Sequence, residues 1–378
     1  MSVLPSLDTS PLFRPFKMGE FTLRNRVVMA PMTRAFSPSG VPGENVARYY
    51  ARRAEGGVGL IVTEGTWIDH PAASNDPNIP CFYGEDALRG WDEVRKRVQS
   101  AGARIVPQLW HVGAAGKSEV GEIFEDRLSV DEEQIGPSGL LRESVPTGRA
   151  MTQSDIDAVG DAYVRSAESA YRLGFDGVEL HGAHGYLLDQ FAWGETNRRT
   201  DRYGGGIAER ARFTAEIVSA IKKRTAPGFP VLLRYSQWKM QDYAARAWPM
   251  AHDLERFLAP LVDAGVDIFH CSQRRFWLPE FPDSNLNLAG WTRKLTGRPT
   301  ITVGSVTMTH DFIATIFDGK TGRTSGLGEL VERLGRDEFD LVAIGRALIM
   351  NPDWAQKIQA NRLEELTPFS ADVLTKLE

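Results

Sequence analysis

Eight short apolar segments recur along the chain, and segments with helical periodicity separate most of them. Each apolar segment is nearly continuous, which is typical of parallel strands buried on both faces. Eight strands alternating with helices in 378 residues predict an α/β fold of the (β/α)8 TIM-barrel type. The predicted strands are Arg26–Ala30, Gly59–Thr63, Arg104–Leu109, Gly177–Leu180, Pro230–Arg234, Asp267–His270, Thr300–Val303 and Leu341–Ile344.

The helical pattern is clearest at Ser154–Leu173, which has a candidate cap at Thr152 or Ser154 and ends before Gly174. A doubly wound sheet is the alternative architecture. That fold usually carries a glycine fingerprint after its first strand, where this chain has Ala30-Pro31-Met32-Thr33 instead. The other predicted helices are Asn45–Glu55, Asp86–Ala101, Ile207–Arg224, Asp253–Ala264 and Asp353–Gln359.

Three segments fall outside this alternation. Phe13–Leu23 predicts a hairpin that plugs the N-terminal mouth of the barrel. His111–Met151 is too long for a simple strand-to-helix connection and predicts a lid insertion after strand three, over the C-terminal mouth. Asp318–Gly328 is rich in glycine, threonine and basic residues and predicts an exposed loop. Since neither an internal repeat nor a linker is evident, we expect residues 1–378 to form a single domain.

Composition narrows the function classes. A net charge of −5 gives no electrostatic reason to expect nucleic acid or an anionic membrane surface as a partner. No apolar run approaches the ~20 residues that a transmembrane helix needs. The two cysteines, Cys81 and Cys271, lie far apart, and the N-terminus lacks the pattern of a secretory signal. We therefore expect a cytoplasmic location, with Cys271 a buried thiol rather than a nucleophile.

The stretch His181-Gly182-Ala183-His184-Gly185-Tyr186 follows the fourth predicted strand. Two imidazoles and a phenol at a strand end indicate donors aimed at one small ligand, because barrel enzymes build their sites there. Capping or core histidines are the alternative. A metal site is a third interpretation of His-x-x-His, which the absence of an HExxH motif or a carboxylate cluster disfavours, so no metal is predicted.

A second pair of strand ends carries glycines. Gly304-Ser305 follows strand seven and Gly345-Arg346 follows strand eight. In this fold those two loops commonly bind phosphate, since glycines allow backbone N–H groups to approach closely and arginine donates in bidentate fashion. Ordinary turns with a surface arginine are the alternative. Glycines in both loops favour a phosphate site.

These residues belong to a wider set of motifs through which the chain resembles the Old Yellow Enzyme family of FMN-dependent ene reductases. The match runs in order from about residue 12 to residue 355, and jointly the motifs are highly specific. The matching stretches are Asn25–Thr33, Thr63–Thr66, Gln108–Gly113, Val178–Phe191, Asn197–Gly205, Phe269–Phe276 and Leu341–Trp354.

The resemblance implies a bound FMN and either NADPH or NADH as reductant. It places Ala30, Pro31, Met32 and Thr33 beside the isoalloxazine, with the Thr33 hydroxyl bonding the flavin edge. Gly65 would let the ring pack close to the backbone, Gln108 would bond its pyrimidine part, and Arg234 would lie where negative charge develops on reduction. A salt bridge inside the barrel is the alternative role for Arg234.

The same resemblance implies the reaction. His181 and His184 would donate to the carbonyl oxygen of an activated alkene over the flavin, and His181 would also contact the cofactor. Hydride would pass from the flavin to the β-carbon while Tyr186 protonates the α-carbon, in a ping-pong cycle. Related flavin barrels acting on amines or dienoyl thioesters are the alternative, but they usually continue into an iron–sulfur segment. A non-catalytic flavin carrier is a third possibility.

The chain departs from the family pattern at a few positions. Ala114 stands where the family often has arginine, and Thr33 replaces the redox-modulating cysteine of some relatives. His111–Met151 and Asp318–Gly328 match poorly. Because those segments shape the pocket entrance and subunit contacts, the sequence leaves the alkene, the nicotinamide preference and homo-oligomer formation open.

Overall fold

A computed structural model describes residues 7–116, 131, 133–308 and 326–378. Eight parallel strands form a closed barrel in which each strand pairs with its neighbours along the chain and the last pairs with the first. The strands are β1 (Val27–Met29), β2 (Leu60–Trp67), β3 (Arg104–Trp110), β4 (Val178–His184), β5 (Val231–Lys239), β6 (Ile268–Ser272), β7 (Thr300–Val303) and β8 (Leu341–Ile344). The predicted (β/α)8 barrel is confirmed.

Three strands extend well beyond their predicted ends. Strand β2 continues to Trp67, β4 to His184 and β5 to Lys239. Polar residues and glycines interrupt the apolar pattern in these extensions, so the apolar run stops before the backbone pairing does. The register shifts between Val62 and Gly65 in β2 and between Gly182 and His184 in β4. These irregularities lie at the barrel end that carries the predicted site, where bulges re-aim side chains.

Helices surround the barrel. The predicted helix at Ser154 starts one residue earlier, because Thr152 forms a capping box with Asp155, and it ends at a left-handed Gly174. The single helix predicted over Ile207–Arg224 is wrong, because the chain breaks it at Ala211 into two. The helices are Ser10–Phe13, Glu44–Glu55, Glu85–Ser100, Gln153–Leu173, Leu187–Ala192, Ile207–Arg210, Arg212–Arg224, Ala251–Ala264, Leu288–Thr296, Leu327–Gly335, Arg346–Met350 and Trp354–Gln359.

The predicted N-terminal plug is confirmed. Phe16–Met18 pairs antiparallel with Phe21–Leu23. Phe16, Phe21 and Leu23 are buried in one cluster with the first inward-facing residues of several barrel strands, among them Leu60 and Leu341. Burial of two phenylalanine rings closes this end of the barrel against water, each ring contributing about 1.5–3 kcal/mol.

Both predicted insertions are described only in part. Within His111–Met151, residues 117–130 and 132 lie outside the described residues, and the rest forms two small two-stranded sheets. Within Asp318–Gly328, residues 318–325 lie outside them, while Leu327 and Gly328 begin a helix rather than a loop. Across the part of the chain that the structure describes, none of the helices has the length and apolar character needed to cross a membrane.

Candidate active site

A cavity of about 820 Å³ opens at the carboxyl ends of the barrel strands, within the usual range for small-molecule sites. The structure brings every sequence-predicted site residue to its wall. The fourteen are Ala30, Pro31, Met32, Thr33, Gly65, Gln108, His181, His184, Tyr186, Arg234, Gly304, Ser305, Gly345 and Arg346.

The segment that follows β1 is held in place by the side-chain carboxylate of Glu64, on β2. Glu64 is fully buried, and its Oε2 accepts the backbone N–H groups of Arg34 and Ala35 at 2.8 and 3.0 Å. Burial raises the pKa of Glu64 to about 7. These two hydrogen bonds fix the path of the chain directly after Thr33, which explains how four consecutive residues of an irregular segment can line a cavity.

A register shift in β4 brings the two histidines together. Residues three apart on a regular strand point to opposite faces of the sheet. The irregularity between Gly182 and His184, with His184 at a left-handed φ of 65°, turns both imidazoles into the cavity. Their ring centroids lie 5.1 Å apart. The pair is therefore built by a local distortion of the strand.

Neighbouring strands fix the orientation of these rings. The His184 Nε2 lies 2.8 Å from the Ser272 hydroxyl, and the ring packs 4.5 Å from Trp238. Tyr186 meets the edge of Trp110 at 4.9 Å and lies 5.2 Å from His181, measured between ring centroids. Aromatic packing of this kind restricts each ring to one orientation.

Gly185 makes the turn between the second histidine and the tyrosine. It adopts a left-handed φ of 80°, and a Cβ at this position would lie 1.8 Å from the Gln241 side-chain oxygen. Only glycine fits, because both the backbone conformation and the space exclude a side chain. The turn sets the position of Tyr186 relative to His184.

The three donors are uncharged near neutral pH. Burial lowers the pKa of His181 and of His184 well below the usual histidine value, and the nearby charge of Arg234 adds to the effect. Burial also raises the pKa of Tyr186 to about 12. Two neutral imidazoles and a protonated phenol therefore face the same cavity, which suits them to hold an oxygen and to supply a proton.

Arg234 brings a positive charge to the cavity. Its guanidinium makes only long contacts, 3.4 Å each, to the Pro31 carbonyl and the Ser272 hydroxyl. Within the described residues it forms no ion pair with a carboxylate, so the salt-bridge alternative is not supported. Burial lowers the pKa of Arg234 to about 10, which leaves it charged at neutral pH.

The glycine loops after β7 and β8 are neighbours because these strands pair, with Val303 opposite Ala343. Ser305 adopts a left-handed φ of 50°, and its hydroxyl donates to the Arg274 carbonyl at 2.8 Å. Arg346 begins the helix Arg346–Met350 beside the same cavity. The two loops thus form one wall of the cavity, on the side of the barrel away from β4, the strand that carries the histidines.

Several residues that line the cavity were not predicted from the sequence. Ser272 contacts both His184 and Arg234, and it lies two residues after His270 on β6. Residues two apart on a strand face the same side, so His270 and Ser272 could have been recognised as sharing the inner face. The predicted buried thiol of Cys271, which lies between them, is confirmed, and it faces the outer side of the strand, where it contacts Thr292. No local signal marks Phe369 or Leu374, which reach the cavity from the C-terminal segment.

The described part of the predicted lid does not line the cavity. Leu141 and Val145 pack instead behind Tyr186 and Met240. The Thr147 hydroxyl donates to the Ala114 carbonyl at 2.6 Å, which ties this segment to the chain leaving β3. This part of the insertion therefore supports the cavity wall from outside.

The sequence model of the NADH:flavin oxidoreductase / NADH oxidase family matches residues 11–365. The chain belongs to this family. The resemblance to the Old Yellow Enzyme family is thereby confirmed, and the protein is a flavin oxidoreductase.

Two relatives match over more than nine-tenths of this chain. A putative 12-oxophytodienoate reductase 2 from Oryza sativa subsp. japonica is 31% identical over 376 residues, covering 97% of this chain and 93% of the relative. An NADH oxidase from Thermoanaerobacter brockii is 31% identical over 364 residues, and the match spans about half, 52%, of that protein.

Solved structures show the same architecture. Morphinone reductase in complex with tetrahydroNAD has a TM-score of 0.76 and 28% identity, with 96% of this chain and 93% of the other covered. An old yellow enzyme homologue from Zymomonas mobilis, with a TM-score of 0.76 and 24% identity, covers 96% of each chain and shares the fold.

Membership in this flavin oxidoreductase family makes FMN the cofactor and a reduced nicotinamide nucleotide the reductant. The cavity of this protein fits a bound FMN. Among the described residues, His181 Nδ1 and Arg234 Nε are buried without a hydrogen-bond partner. A buried donor left unpaired costs about 1–3 kcal/mol, so these atoms indicate a ligand with polar edge atoms. Ala30 and Met32 offer apolar contact for a flat ring in the same cavity.

Proposed function

We propose that this protein reduces the activated C=C bond of α,β-unsaturated carbonyl compounds, using FMN and NADPH or NADH in a ping-pong cycle. One observation carries the proposal. His181, His184 and Tyr186 present two neutral imidazoles and a protonated phenol to the cavity that Arg234 also faces. This combination suits a reaction in which negative charge forms on an oxygen and a carbon takes up a proton.

The isoalloxazine of the cofactor would be held by residues on or directly after β1, β2, β3 and β5. Thr33, Gly65 and Gln108 would line the isoalloxazine, with Ala30, Pro31 and Met32 against one side of it. Arg234 would stabilise the negative charge that reduction places on the ring, since a fixed cation in a low-dielectric site needs no reorganisation. When bound, FMN supplies the transfer of a hydride from the nicotinamide nucleotide to the alkene.

The phosphate of the cofactor would lie between the loops after β7 and β8. Gly304 and Gly345 leave room for backbone N–H groups to approach it, and Ser305 adds a hydroxyl. Arg346 would supply a charge-assisted pair of hydrogen bonds. The pairing of β7 with β8 supports this assignment because it sets the two loops side by side.

His181 and His184 would donate to the carbonyl oxygen of the substrate. As the alkene is reduced this oxygen gains enolate character, so the two hydrogen bonds strengthen in the transition state and lower the barrier. Ser272 would hold the His184 ring in place, because its hydroxyl lies 2.8 Å from Nε2. Both rings stay neutral, which keeps the oxygen from being protonated in place of the carbon.

Tyr186 would protonate the α-carbon. Its pKa of about 12 keeps the phenol protonated until a strongly basic carbon forms beside it. The contact with the edge of Trp110 directs the ring, and the glycine turn at Gly185 sets its distance from the histidines.

The proposal is tested with purified protein under anaerobic conditions. The protein should be yellow, NADPH or NADH should bleach it, and 2-cyclohexenone should restore the colour with formation of cyclohexanone. If the enone leaves the bleached protein unchanged while oxygen re-oxidises it, the substrate class is wrong. If the protein neither contains nor takes up FMN, the whole proposal is wrong.

A further inference from the structure

A fully buried carboxylate lies one layer below the histidines. Glu179 stands two residues before His181 on β4, so both side chains point into the barrel. Its two oxygens have different partners. Oε1 accepts a hydrogen bond from the Gln108 Nε2 at 2.8 Å, and Oε2 lies 2.7 Å from the His270 Nδ1.

The contact with Glu179 decides which way the Gln108 amide faces. A carboxylate accepts hydrogen bonds and donates none, so it requires the amide nitrogen of Gln108 on its side. The amide oxygen is thereby directed away from Glu179, and Gln108 lines the cavity. Without the carboxylate, the two ends of the amide would be interchangeable.

Glu179 also balances the charge of the cavity. Burial lowers the pKa of Arg234, and the negative charge of Glu179 opposes that shift. Burial likewise lowers the pKa of His270, even though Glu179 attracts a proton to it, which favours a neutral ring that donates through Nδ1. Arg234 pairs in register with His181, so it lies on the neighbouring strand two residues beyond the level of Glu179, without forming an ion pair with it. Removing the carboxylate would take away the negative charge that acts on Arg234 from this position.

We propose that Glu179 is a positioning residue for the flavin: it orients the Gln108 amide towards the pyrimidine edge and sets how strongly Arg234 favours the reduced cofactor. The inference rests on the proposed placement of FMN against Gln108 and Arg234. His270 holds the second carboxylate oxygen and so fixes the rotation of Glu179.

The effect of the Glu179 charge on the flavin is tested with the variant Glu179→Gln, which keeps the size of the side chain and a hydrogen-bond acceptor but removes the negative charge. In the FMN-bound enzyme we expect the midpoint potential of the flavin to rise, because the reduced cofactor carries more negative charge. Asp176→Asn is the matched control. Asp176 is a partly buried carboxylate that accepts the Ile105 N–H and pairs with Arg104 at the opposite end of the barrel. Its loss should leave the potential unchanged.

The orientation is tested with a double-mutant cycle on FMN affinity. Glu179→Met should weaken FMN binding roughly tenfold when Gln108 is present and should have little further effect in a Gln108→Met background. An unchanged potential in Glu179→Gln, or additive losses in the cycle, would overturn the inference. A wild-type protein that fails to bind FMN would instead refute the proposed function, so the two failures are distinguishable.

Discussion

Lys239 donates a 2.7 Å hydrogen bond to Asp189, and both side chains are fully buried. The other oxygen of Asp189 accepts the Gly185 N–H, also at 2.7 Å. The pair thereby ties the end of β5 to the turn between His184 and Tyr186. Burial lowers the pKa of Lys239 and raises that of Asp189, while their mutual attraction opposes both shifts.

Replacing Lys239 with methionine should lower the free energy of unfolding by about 3–5 kcal/mol, because it leaves a buried carboxylate without its partner. Chemical denaturation of the FMN-bound protein measures this. Lys222→Met is the control, since Lys222 pairs with Asp267 at a similar 2.8 Å but both side chains are about one-fifth exposed. That change should cost roughly 1 kcal/mol or less. Equal losses of unfolding free energy in the two variants would show that burial does not determine how much the Lys239–Asp189 pair contributes to stability.

Tyr186→Phe should slow re-oxidation of the reduced enzyme by an enone by about 10²–10⁴-fold, because it removes the proton donor. Reduction of the flavin by NADPH needs no such proton and should keep its rate. Stopped-flow absorbance separates the two half-reactions. Equal slowing of both would mean that the phenol shapes the cavity rather than donating the proton.

His181→Ala combined with His184→Ala should weaken the binding of phenolic ligands, whose oxygen mimics an enolate. Loss of one hydrogen bond to a charged oxygen costs about 1.5–3 kcal/mol, so the double variant should lose on the order of 10²-fold or more in affinity. Titration of the long-wavelength absorbance measures it. Tyr186→Phe serves as the control and should retain the affinity. Unchanged binding in the double variant would place the oxygen donors elsewhere.

Arg346→Gln should discriminate between FMN and riboflavin. If Arg346 holds the phosphate, its loss should weaken FMN binding by about tenfold or more, since it removes a charge-assisted bond. The affinity for riboflavin, which has no phosphate, should not change. Fluorescence titration of the flavin-free protein measures both constants. A parallel loss for both ligands would assign Arg346 a structural role.

The buried histidines predict a pH dependence of stability. The pKa values of His181 and His184 are lowered in the folded protein, whereas in the unfolded chain histidine titrates near 6.5. Below about pH 6.5 the unfolded chain therefore binds protons that the folded protein does not, and stability falls. The expected slope is up to about 1.4 kcal/mol per pH unit for each histidine.

Comparison with a variant isolates this effect. His181→Asn combined with His184→Asn should flatten the slope below pH 6.5 relative to the wild type. Glu64 acts in the opposite direction in both proteins, since its raised pKa of about 7 gives stability that is lost as pH rises through that value. Identical slopes would show that the two imidazoles are charged in the folded protein.

The sequence by itself determined the order of eight strands and the residues that end them. Continuous apolar runs specify strands buried on both faces, and a parallel barrel collects their carboxyl ends at one mouth. For that reason seven residues at the ends of strands four, seven and eight could be assigned to one site, and the family resemblance implied the other seven. Short helices, such as the nine-residue Leu288–Thr296, were missed, and the continuous helix over Ile207–Arg224 was wrong.

Tertiary structure decided how these residues face one another. A regular strand would have pointed His184 away from His181, and only the shifted register of β4 against β5 turns it inward. The partners of Glu179 come from β3 and β6, 71 and 91 residues away along the chain. Local periodicity cannot specify such contacts, because they depend on the register and closure of the whole barrel.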